Sequence, residues 1–230
     1  MALKTKTTKS TKKTKPAAQN LPPEGENNPY KGQKIVALTF DDGPGPYTER
    51  LLNEMKARGV RATFFVLGTR VDAYPKLIRR MAKEGHVLGN HSNAHNMLHR
   101  MSLDGVRNEM GKCAAKIEKI LGYRPPVMRC PGGNSSSLVQ KYAKEAGVPI
   151  INWSVDTRDW ESRNKAAILK VCKNNIRDGS IVLLHDIHKV SVDASIELMD
   201  WLLEEGYTMV TVPELLKARR GGITAGKTYY

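Results

Sequence analysis

The sequence is poor in cysteine, and its three cysteines are widely spaced. Cys113, Cys130 and Cys172 form no CxxC pair, and their number is odd. A set of this kind argues against a disulfide framework and against a zinc site built from thiolates. Because free cysteine is usually a small buried residue, we expect Cys113 and Cys172 to lie in the core, on helices.

Long apolar runs are also missing. No stretch approaches the ~20 apolar residues that a helix needs to cross a bilayer, so no transmembrane segment is predicted. The first thirty residues contain no apolar segment either, and no secretory signal is therefore predicted in the chain as it is written.

Acidic residues are absent before Glu24, whereas lysine is frequent there. A Thr-, Ser- and Lys-rich stretch cannot bury apolar surface, so we expect residues 1–33 to be a disordered tail or linker. Part of the formal net charge of +14 lies in this segment. The tail is expected to attach weakly to anionic polymers. No stacking platform or recognition helix accompanies the lysines, so no specific nucleic-acid partner is expected.

Short apolar runs alternate with amphipathic stretches along the rest of the chain. The runs predict seven strands, at 34–40, 62–68, 86–91, 126–130, 149–155, 180–186 and 207–212. The amphipathic stretches predict helices at 47–58, 74–84, 102–121, 136–146, 165–175 and 191–205. This rhythm predicts one α/β domain over residues 34–220, with a parallel sheet and a short C-terminal tail at 221–230. A barrel and an open doubly wound sheet both fit it.

Acidic, histidine and arginine residues cluster where the predicted strands end. They are Asp41 and Asp42, His91 and His95, Arg129, Asp156 and Asp159, and His185 and Asp186. In parallel α/β folds the carboxyl ends of the strands form the mouth where ligands bind. We therefore expect these side chains to share one site.

The adjacent pair Asp41-Asp42 is the first candidate for chemistry. Successive side chains of an extended segment point to opposite sides, so one carboxylate can face a metal while the other approaches as a base. Adjacent aspartates also begin turns without any catalytic task, and the pair alone leaves both interpretations open.

The histidines His91 and His95 are spaced closely enough to hold one ion. Together with Asp42 they give three ligands of the kind that zinc accepts, and a fourth position is left for water, as catalytic sites require. The isolated histidines His86, His99 and His188 are instead expected to be ordinary core or surface residues.

Taken together, these segments resemble the polysaccharide deacetylase family, whose members are carbohydrate esterases built on a NodB-homology domain. Five motifs carry the resemblance in order: TFDDGP at 39–44, HSNAH at 91–95, RCPGG at 129–133, DTRDW at 156–160 and LLHD at 183–186. The resemblance covers about residues 34–218, and it implies a distorted, TIM-like (β/α)7 barrel.

The resemblance also implies a task for each motif residue. Asp42, His91 and His95 would hold one Zn²⁺, Co²⁺ or similar divalent ion. Asp41 would be the general base, held in place by Arg129, and His185 would be the general acid, oriented by Asp159. The residues implied to shape the acetyl and sugar pocket are Trp160, Leu183, Pro131 and Gly132.

The third motif departs from the family pattern, because many relatives have tyrosine where this chain has Gly132. If the residue only supplies a backbone N–H to the oxyanion, glycine serves equally well. The loss of an aromatic wall would widen the cleft. Two successive glycines, Gly132 and Gly133, also indicate a conformation that a β-carbon would disturb.

The resemblance implies an N-acetylated polysaccharide as substrate, and N-acetylglucosamine residues of peptidoglycan are the favoured case. Chitin or its oligomers and acetylated xylan are the alternatives. A monomer that is secreted or associated with the cell wall is expected, with a cytoplasmic location as the alternative.

A non-catalytic glycan-binding protein on the same scaffold is a rival of a different class. A metallophosphoesterase is a further rival, although such sites usually need ligands for two ions.

Overall fold

The computed structural model describes residues 28–230. Its strands are β1 Lys34–Asp41, β2 Thr63–Val66, β3 Val87–Asn90, β4 Ile150–Ile151, β5 Val155–Asp156, β6 Ile181–His185, β7 Tyr207–Met209 and β8 Thr228–Tyr229. Its α-helices are α1 Thr48–Arg58, α2 Gly68–Ala73, α3 Pro75–Lys83, α4 Leu103–Leu121, α5 Ser137–Ala146, α6 Asp159–Ser162, α7 Lys165–Asn175, α8 Lys189–Glu204 and α9 Val212–Arg220. Within this part of the chain, no helix is both long and apolar enough to cross a membrane.

All strand pairs are parallel, and β1 lies at the centre of the main sheet. It pairs with β7 along its first residues, with β2 along its last residues and with β6 along most of its length. β3 follows β2, and β5 follows β6. Single bridges through Met128 join β3 to β4, and β8 pairs with β4. The fold is the distorted (β/α)7 barrel that the family resemblance implies.

Alternation along β1 separates two cores. Ile35 and Ala37 belong to the inner cluster, the buried apolar side chains inside the barrel, whereas Val36, Leu38 and Phe40 pack outward against the helices. Because both faces of the strand are covered by apolar side chains, its sequence reads as a continuous apolar run.

The helix ends follow local chemistry. The Ser102 side chain accepts the N–H of Gly105 at the start of α4, and Gly122 ends that helix in the left-handed region at φ 81°. Thr211 and Glu214 form a capping box at the start of α9. This cap ends the run predicted as strand 207–212, so that β7 stops at Met209.

The predicted boundaries of the domain need two corrections. Asn28 and Tyr30, assigned to the tail, contact α9: the side-chain amide of Asn28 donates to Ala218 O at 3.1 Å, and the Tyr30 hydroxyl donates to Glu214 at 3.2 Å. The predicted C-terminal tail instead ends in β8, whose Tyr229 is buried. The predicted disorder of residues 1–27 lies outside the described residues.

The predicted strand elements at 126–130 and 149–155 are shorter than expected. The former is reduced to the bridging residue Met128, and the latter is divided into β4 and β5. Three helices were not predicted: α2 and α6, which are short, and α9. Cys113 and Cys172 are buried on helices, as expected.

Candidate active site

The alternation of β1 continues to the mouth of the barrel. Because Ile35 and Ala37 point inward, Thr39 and Asp41 follow on the same face. Both side chains are buried. Asp42, just beyond the end of the strand, lies in the left-handed region at φ 70°, and its carboxylate approaches the same space from another direction.

Strand β6 brings a second inward row to this mouth. Ile181 belongs to the inner cluster, so Leu183 and His185 follow on the inner face. Leu183 is buried one step below His185. In the parallel pairing of β1 with β6, Asp41 lies opposite His185.

Three predicted metal ligands converge at the mouth. Asp42 Oδ1 lies 3.5 Å from His91 Nε2 and 3.4 Å from His95 Nε2. The three ligand atoms lie within 4.8 Å of one another. Ligand atoms placed ~2.0–2.2 Å from a tetrahedral zinc ion are separated by roughly 3.3–3.6 Å. The arrangement therefore matches the spacing that one such ion requires.

The environment and backbone torsions of these side chains are also consistent with a bound cation. Asp42 Oδ1 is buried and has no hydrogen-bond partner among the described residues, a costly state for a carboxylate unless a cation compensates it. His95 resembles Asp42 in being a non-glycine residue with positive φ, at 61°. Such torsions cost roughly 1–2 kcal/mol each and are typical of functional sites.

His91 is fixed by its other ring nitrogen. Its Nδ1 lies 2.9 Å from Arg129 O, a geometry in which Nδ1–H donates to the carbonyl and Nε2 faces Asp42. Histidine ligands of metals commonly have such a partner. Burial lowers the pKa of His91, so the neutral ring that binds metal is favoured.

Arg129 is a completely buried cation beside Asp41. Its Nη1 donates to Asp41 Oδ1 and to Thr39 Oγ1, both at 2.8 Å. Its Nε and Nη2 donate to the carbonyls of Ile151 and Asn152 at 3.0 and 2.9 Å. The guanidinium therefore has fixed partners on three sides, and it fixes one oxygen of Asp41.

Asp41 and His185 both lie beside the ligand cluster. Asp41 Oδ2 is 3.6 Å from His91 Nε2, and His185 Nε2 is 3.9 Å from Asp42 Oδ2. The other oxygen of Asp41 is occupied by Arg129. One free carboxylate oxygen and one imidazole nitrogen therefore face the same space.

Asp159 holds His185 with both of its oxygens. Oδ1 accepts from the ring Nδ1 at 2.7 Å, and Oδ2 accepts from the backbone N–H at 2.8 Å. Burial alone would lower the pKa of His185, but the hydrogen bond and the charge of Asp159 outweigh it and raise the pKa to about 9. Burial likewise opposes ionisation of Asp159, yet His185 keeps the pKa of that carboxyl below its usual range.

The four predicted pocket residues have different environments. Leu183 and Pro131 are buried, whereas Gly132 and Trp160 are exposed, Trp160 by 50%. Gly132 has φ 67°, which supports the expectation that this loop needs glycine torsions. An added β-carbon there would lie 3.6 Å from the sulfur of Met97, an ordinary contact, so the constraint comes from torsion rather than space.

Two residues that shape the site from behind, Asn90 and Glu109, were not predicted from the sequence. Asn90 accepts the N–H of Ser92 at 3.0 Å and donates to Met110 O at 2.8 Å, while Glu109 accepts the N–H of Ala94 at 3.1 Å. These contacts hold the loop that carries His91 and His95. Asn90 could have been predicted from its position directly before the HSNAH motif. Glu109 could not, because its sequence position is that of an ordinary residue in a helix.

Asp186 is a second group whose task was not predicted. It is fully buried, and the hydroxyl of Thr48 donates to it. Burial raises the pKa of Asp186 to about 7. A β-carbon at Gly43 would overlap its carboxylate, so glycine is required where the TFDDGP turn passes over this acid.

Comparison with known proteins identifies the relatives of this chain. Residues 28–151 match the family model described as polysaccharide deacetylase. The chain is 40% identical over 202 residues to the peptidoglycan-N-acetylmuramic acid deacetylase PdaC of Bacillus subtilis (strain 168), an alignment that covers 87% of this chain and 42% of that protein. It is 40% identical over 201 residues to the peptidoglycan-N-acetylglucosamine deacetylase PgdA of Listeria monocytogenes serotype 1/2a (strain 10403S), again covering 87% and 42%.

A solved structure described as a T48 deacetylase with substrate superposes with a TM-score of 0.82 at 36% identity, covering 90% of this chain and 100% of that one. The chain spans less than half the length of the two curated relatives. The family model alone accounts for more than half of the 230 residues, and the chain belongs to the polysaccharide deacetylase family.

Proposed function

We propose that this protein hydrolyses the acetamido group of N-acetylated sugars in a polymer, and that N-acetylglucosamine of peptidoglycan is its substrate. One observation carries the proposal: an oxygen of Asp41 and a nitrogen of His185 both lie beside the Asp42, His91 and His95 cluster. Hydrolysis of an amide needs a base for the water and an acid for the leaving amine, and this mouth offers one of each.

Asp42, His91 and His95 are the residues that would hold a single divalent ion, Zn²⁺ or Co²⁺. The unpartnered Asp42 oxygen and the spacing of the three ligand atoms support this assignment. A bound ion of this kind supplies Lewis acidity, which polarises a carbonyl and acidifies water. All three ligands come from one chain, as do Asp41 and His185, so a monomer suffices for the site.

Asp41 takes the proton of the attacking water through the oxygen that Arg129 does not occupy. His185 then gives a proton to the departing amine. The pKa of about 9 keeps that imidazole charged at neutral pH, and Asp159 fixes the ring through Nδ1 so that Nε2 faces the substrate. A backbone N–H of the turn at Pro131–Gly133 stabilises the oxyanion.

The acetyl methyl group is placed against Leu183 and Trp160. The support for Leu183 is its position on the inner face of β6, directly below His185. Trp160 follows Asp159 on α6 at the rim, where its exposed ring can cover the group from above. Pro131 and Gly132 form the edge beside the sugar.

The proposed substrate rests on the relatives, which are named for two different sugars of the same polymer. We place the activity at the cell wall for the same reason. The test is acetate release from N-acetylglucosamine oligomers, from peptidoglycan and from acetylxylan, each with and without a chelator. The deacetylated glucosamine and muramic acid residues of the product polymer are to be counted separately.

The expected result is chelator-sensitive release from the N-acetylglucosamine residues of peptidoglycan. Asp41→Asn and His185→Ala should each lower kcat by ~10²-fold or more. His99→Ala, outside the cluster, is the matched control. Binding of peptidoglycan without acetate release would favour the non-catalytic glycan-binding alternative and overturn the proposal.

A further inference from the structure

A basic groove with a volume of about 700 Å³ runs along the outside of the barrel. We name it the cationic groove after the six basic residues that line it: Lys56 from α1, Arg61 from the segment before β2, and Lys76, Arg79, Arg80 and Lys83 from α3. Glu84 is the one acid among its lining residues.

Four of these cations occupy one face of α3. Lys76 and Lys83 are two turns apart, with Arg79 and Arg80 between them, which is the spacing of neighbours on a helix surface. Ile78 and Met81 are completely buried on the other side of the helix. Like charges at these spacings destabilise a helix, so helix stability does not explain the arrangement.

Most of this charge is uncompensated. Arg61 pairs with Glu214 at 2.7 Å, and Arg80 pairs with Glu84 at 2.9 Å. The remaining four cations are exposed and have no acidic partner within residues 28–230: Lys56, Lys76, Arg79 and Lys83. A concave surface with this charge attracts an anionic ligand.

We infer that the cationic groove binds a linear phosphodiester polymer of the poly(glycerol phosphate) kind, the chemistry of an anionic wall polymer. Arginine matches a phosphate with two parallel donors, and lysine binds one as a point charge. Lys76 and Lys83 are about 10 Å apart along the helix axis at 1.5 Å per residue. A row of cations of this length can contact more than one phosphate of such a chain, whereas a neutral N-acetylated glycan gains nothing from the charge.

The lining residues disfavour other polyanions. Single-stranded nucleic acid is usually held by bases stacked on aromatic rings, and no Phe, Tyr or Trp lines the cationic groove. A membrane surface would be met by exposed apolar side chains. The large exposed apolar residues of the described part lie elsewhere: Met97, Leu138, Trp160, Leu203 and Tyr230.

The cationic groove leads towards the mouth of the barrel. Lys76 also lines a second groove of about 410 Å³, together with Gly45 and Pro46. Those two residues follow the Asp41-Asp42 pair in sequence. A polymer in the cationic groove would thus hold the domain with its mouth beside the wall. Binding is separate from the proposed reaction and can be tested without it.

The experiment compares two triple variants of the full chain. The groove variant is Lys76→Gln, Arg79→Gln and Lys83→Gln. The control variant, Lys119→Gln, Lys141→Gln and Lys170→Gln, removes the same charge from exposed positions outside the groove. Both keep the lysine-rich tail. Binding of labelled poly(glycerol phosphate), of a single-stranded DNA of equal charge and of anionic phospholipid vesicles is measured from 0.05 to 0.3 M salt, and circular dichroism checks folding.

The groove variant should bind poly(glycerol phosphate) about tenfold more weakly or worse, with a salt slope reduced by roughly 2–3, while the control stays within about twofold of the parent. Hydrolysis of short neutral oligomers should be unchanged in both. Equal loss in the two variants would overturn the site, because only bulk charge would matter. A groove-dependent loss as large for DNA or vesicles would overturn the assigned polymer.

Discussion

Arg129 donates a 2.8 Å hydrogen bond to Asp41, and both side chains are buried at the mouth of the barrel. Asp41 comes from β1 and Arg129 from the segment between α4 and α5, so the pair ties the proposed base to a distant part of the chain. Neither partner can be removed without leaving a buried charge, which costs several kcal/mol.

Replacement of Arg129 by lysine tests this relationship. Lysine keeps the charge but cannot reproduce the three-sided donor pattern, so Arg129→Lys should lower stability by about 2–3 kcal/mol and reduce kcat. Urea unfolding and acetate release measure the two effects. Arg124→Lys is the matched control, because Arg124 forms an exposed ion pair with Glu118. If Arg129→Lys has the same stability and turnover as the parent, other contacts hold Asp41 in place.

The pH dependence of turnover should reveal the link between Asp159 and His185. Since the proposed acid must be protonated, kcat should fall as pH rises through about 9, the pKa of His185. Asp159→Asn removes the charge that raises this pKa, so the falling limb should move to lower pH. A pH–rate profile measures the shift. If the fall in kcat at high pH occurs at the same pH in Asp159→Asn, the titrating group is not His185.

The metal content of the protein is a separate measurement. One divalent ion per chain is expected, and Asp42→Ala or His91→Ala should lose it, because three ligands leave little redundancy. Metal analysis after dialysis detects the loss, and Zn²⁺ or Co²⁺ should restore activity to the chelated parent. His99→Ala should retain the ion. A metal-free parent with full activity would contradict the assignment.

Gly132 offers a test of backbone torsion against side-chain bulk. At φ 67° a β-carbon costs about 1–2 kcal/mol, so Gly132→Ala and Gly132→Tyr should both lose activity on oligomers and on peptidoglycan. Gly132→Asn should lose less, because asparagine tolerates this region. A loss confined to peptidoglycan in Gly132→Tyr, with Gly132→Ala normal, would show that only the width of the cleft matters.

Truncation should separate the basic segment from the folded domain. Removal of residues 1–27 is expected to leave oligomer hydrolysis unchanged and to weaken, in a salt-dependent way, attachment to anionic polymers. Removal of 1–33 should also destabilise the domain by about 1–3 kcal/mol, since Asn28 and Tyr30 contact α9. Thermal unfolding compares the two. Equal stability would mean that these contacts contribute little.

The sequence predicted a parallel α/β domain and the position of the site because strand ends are easy to recognise, whereas the barrel was implied only by the family resemblance. Asp41 and His185 terminate apolar runs, and parallel strands bring such ends to one rim. The metal set was recognisable from the close spacing of His91 and His95 beside Asp42. Tertiary contacts such as the hydrogen bond from Arg129 to Thr39 could not be predicted from the sequence, because threonine is common in strands.

The errors in the fold have physical causes. Of the fourth predicted strand, only Met128 forms β-bridges to neighbouring strands. The apolar run at 126–130 is apolar because it is buried, and it does not form a full ladder of backbone hydrogen bonds. Strand β8 is too short to show alternation, and its pairing with β4 depends on residues distant in sequence. Helix α9 was hidden because its first residues also fit the end of a strand.

The pairing of β8 with β4 has a consequence for the order in which the protein folds. Asn152 donates its N–H to Tyr229 O at 2.8 Å, and the carbonyls of Ile151 and Asn152 hold the Arg129 guanidinium. The support of Arg129 therefore depends on a contact of long sequence separation, and contacts of this kind slow folding. During synthesis from the amino end, the motifs emerge from the ribosome before Tyr229 does. The support of Arg129 at the mouth is complete only when β8 has docked against β4.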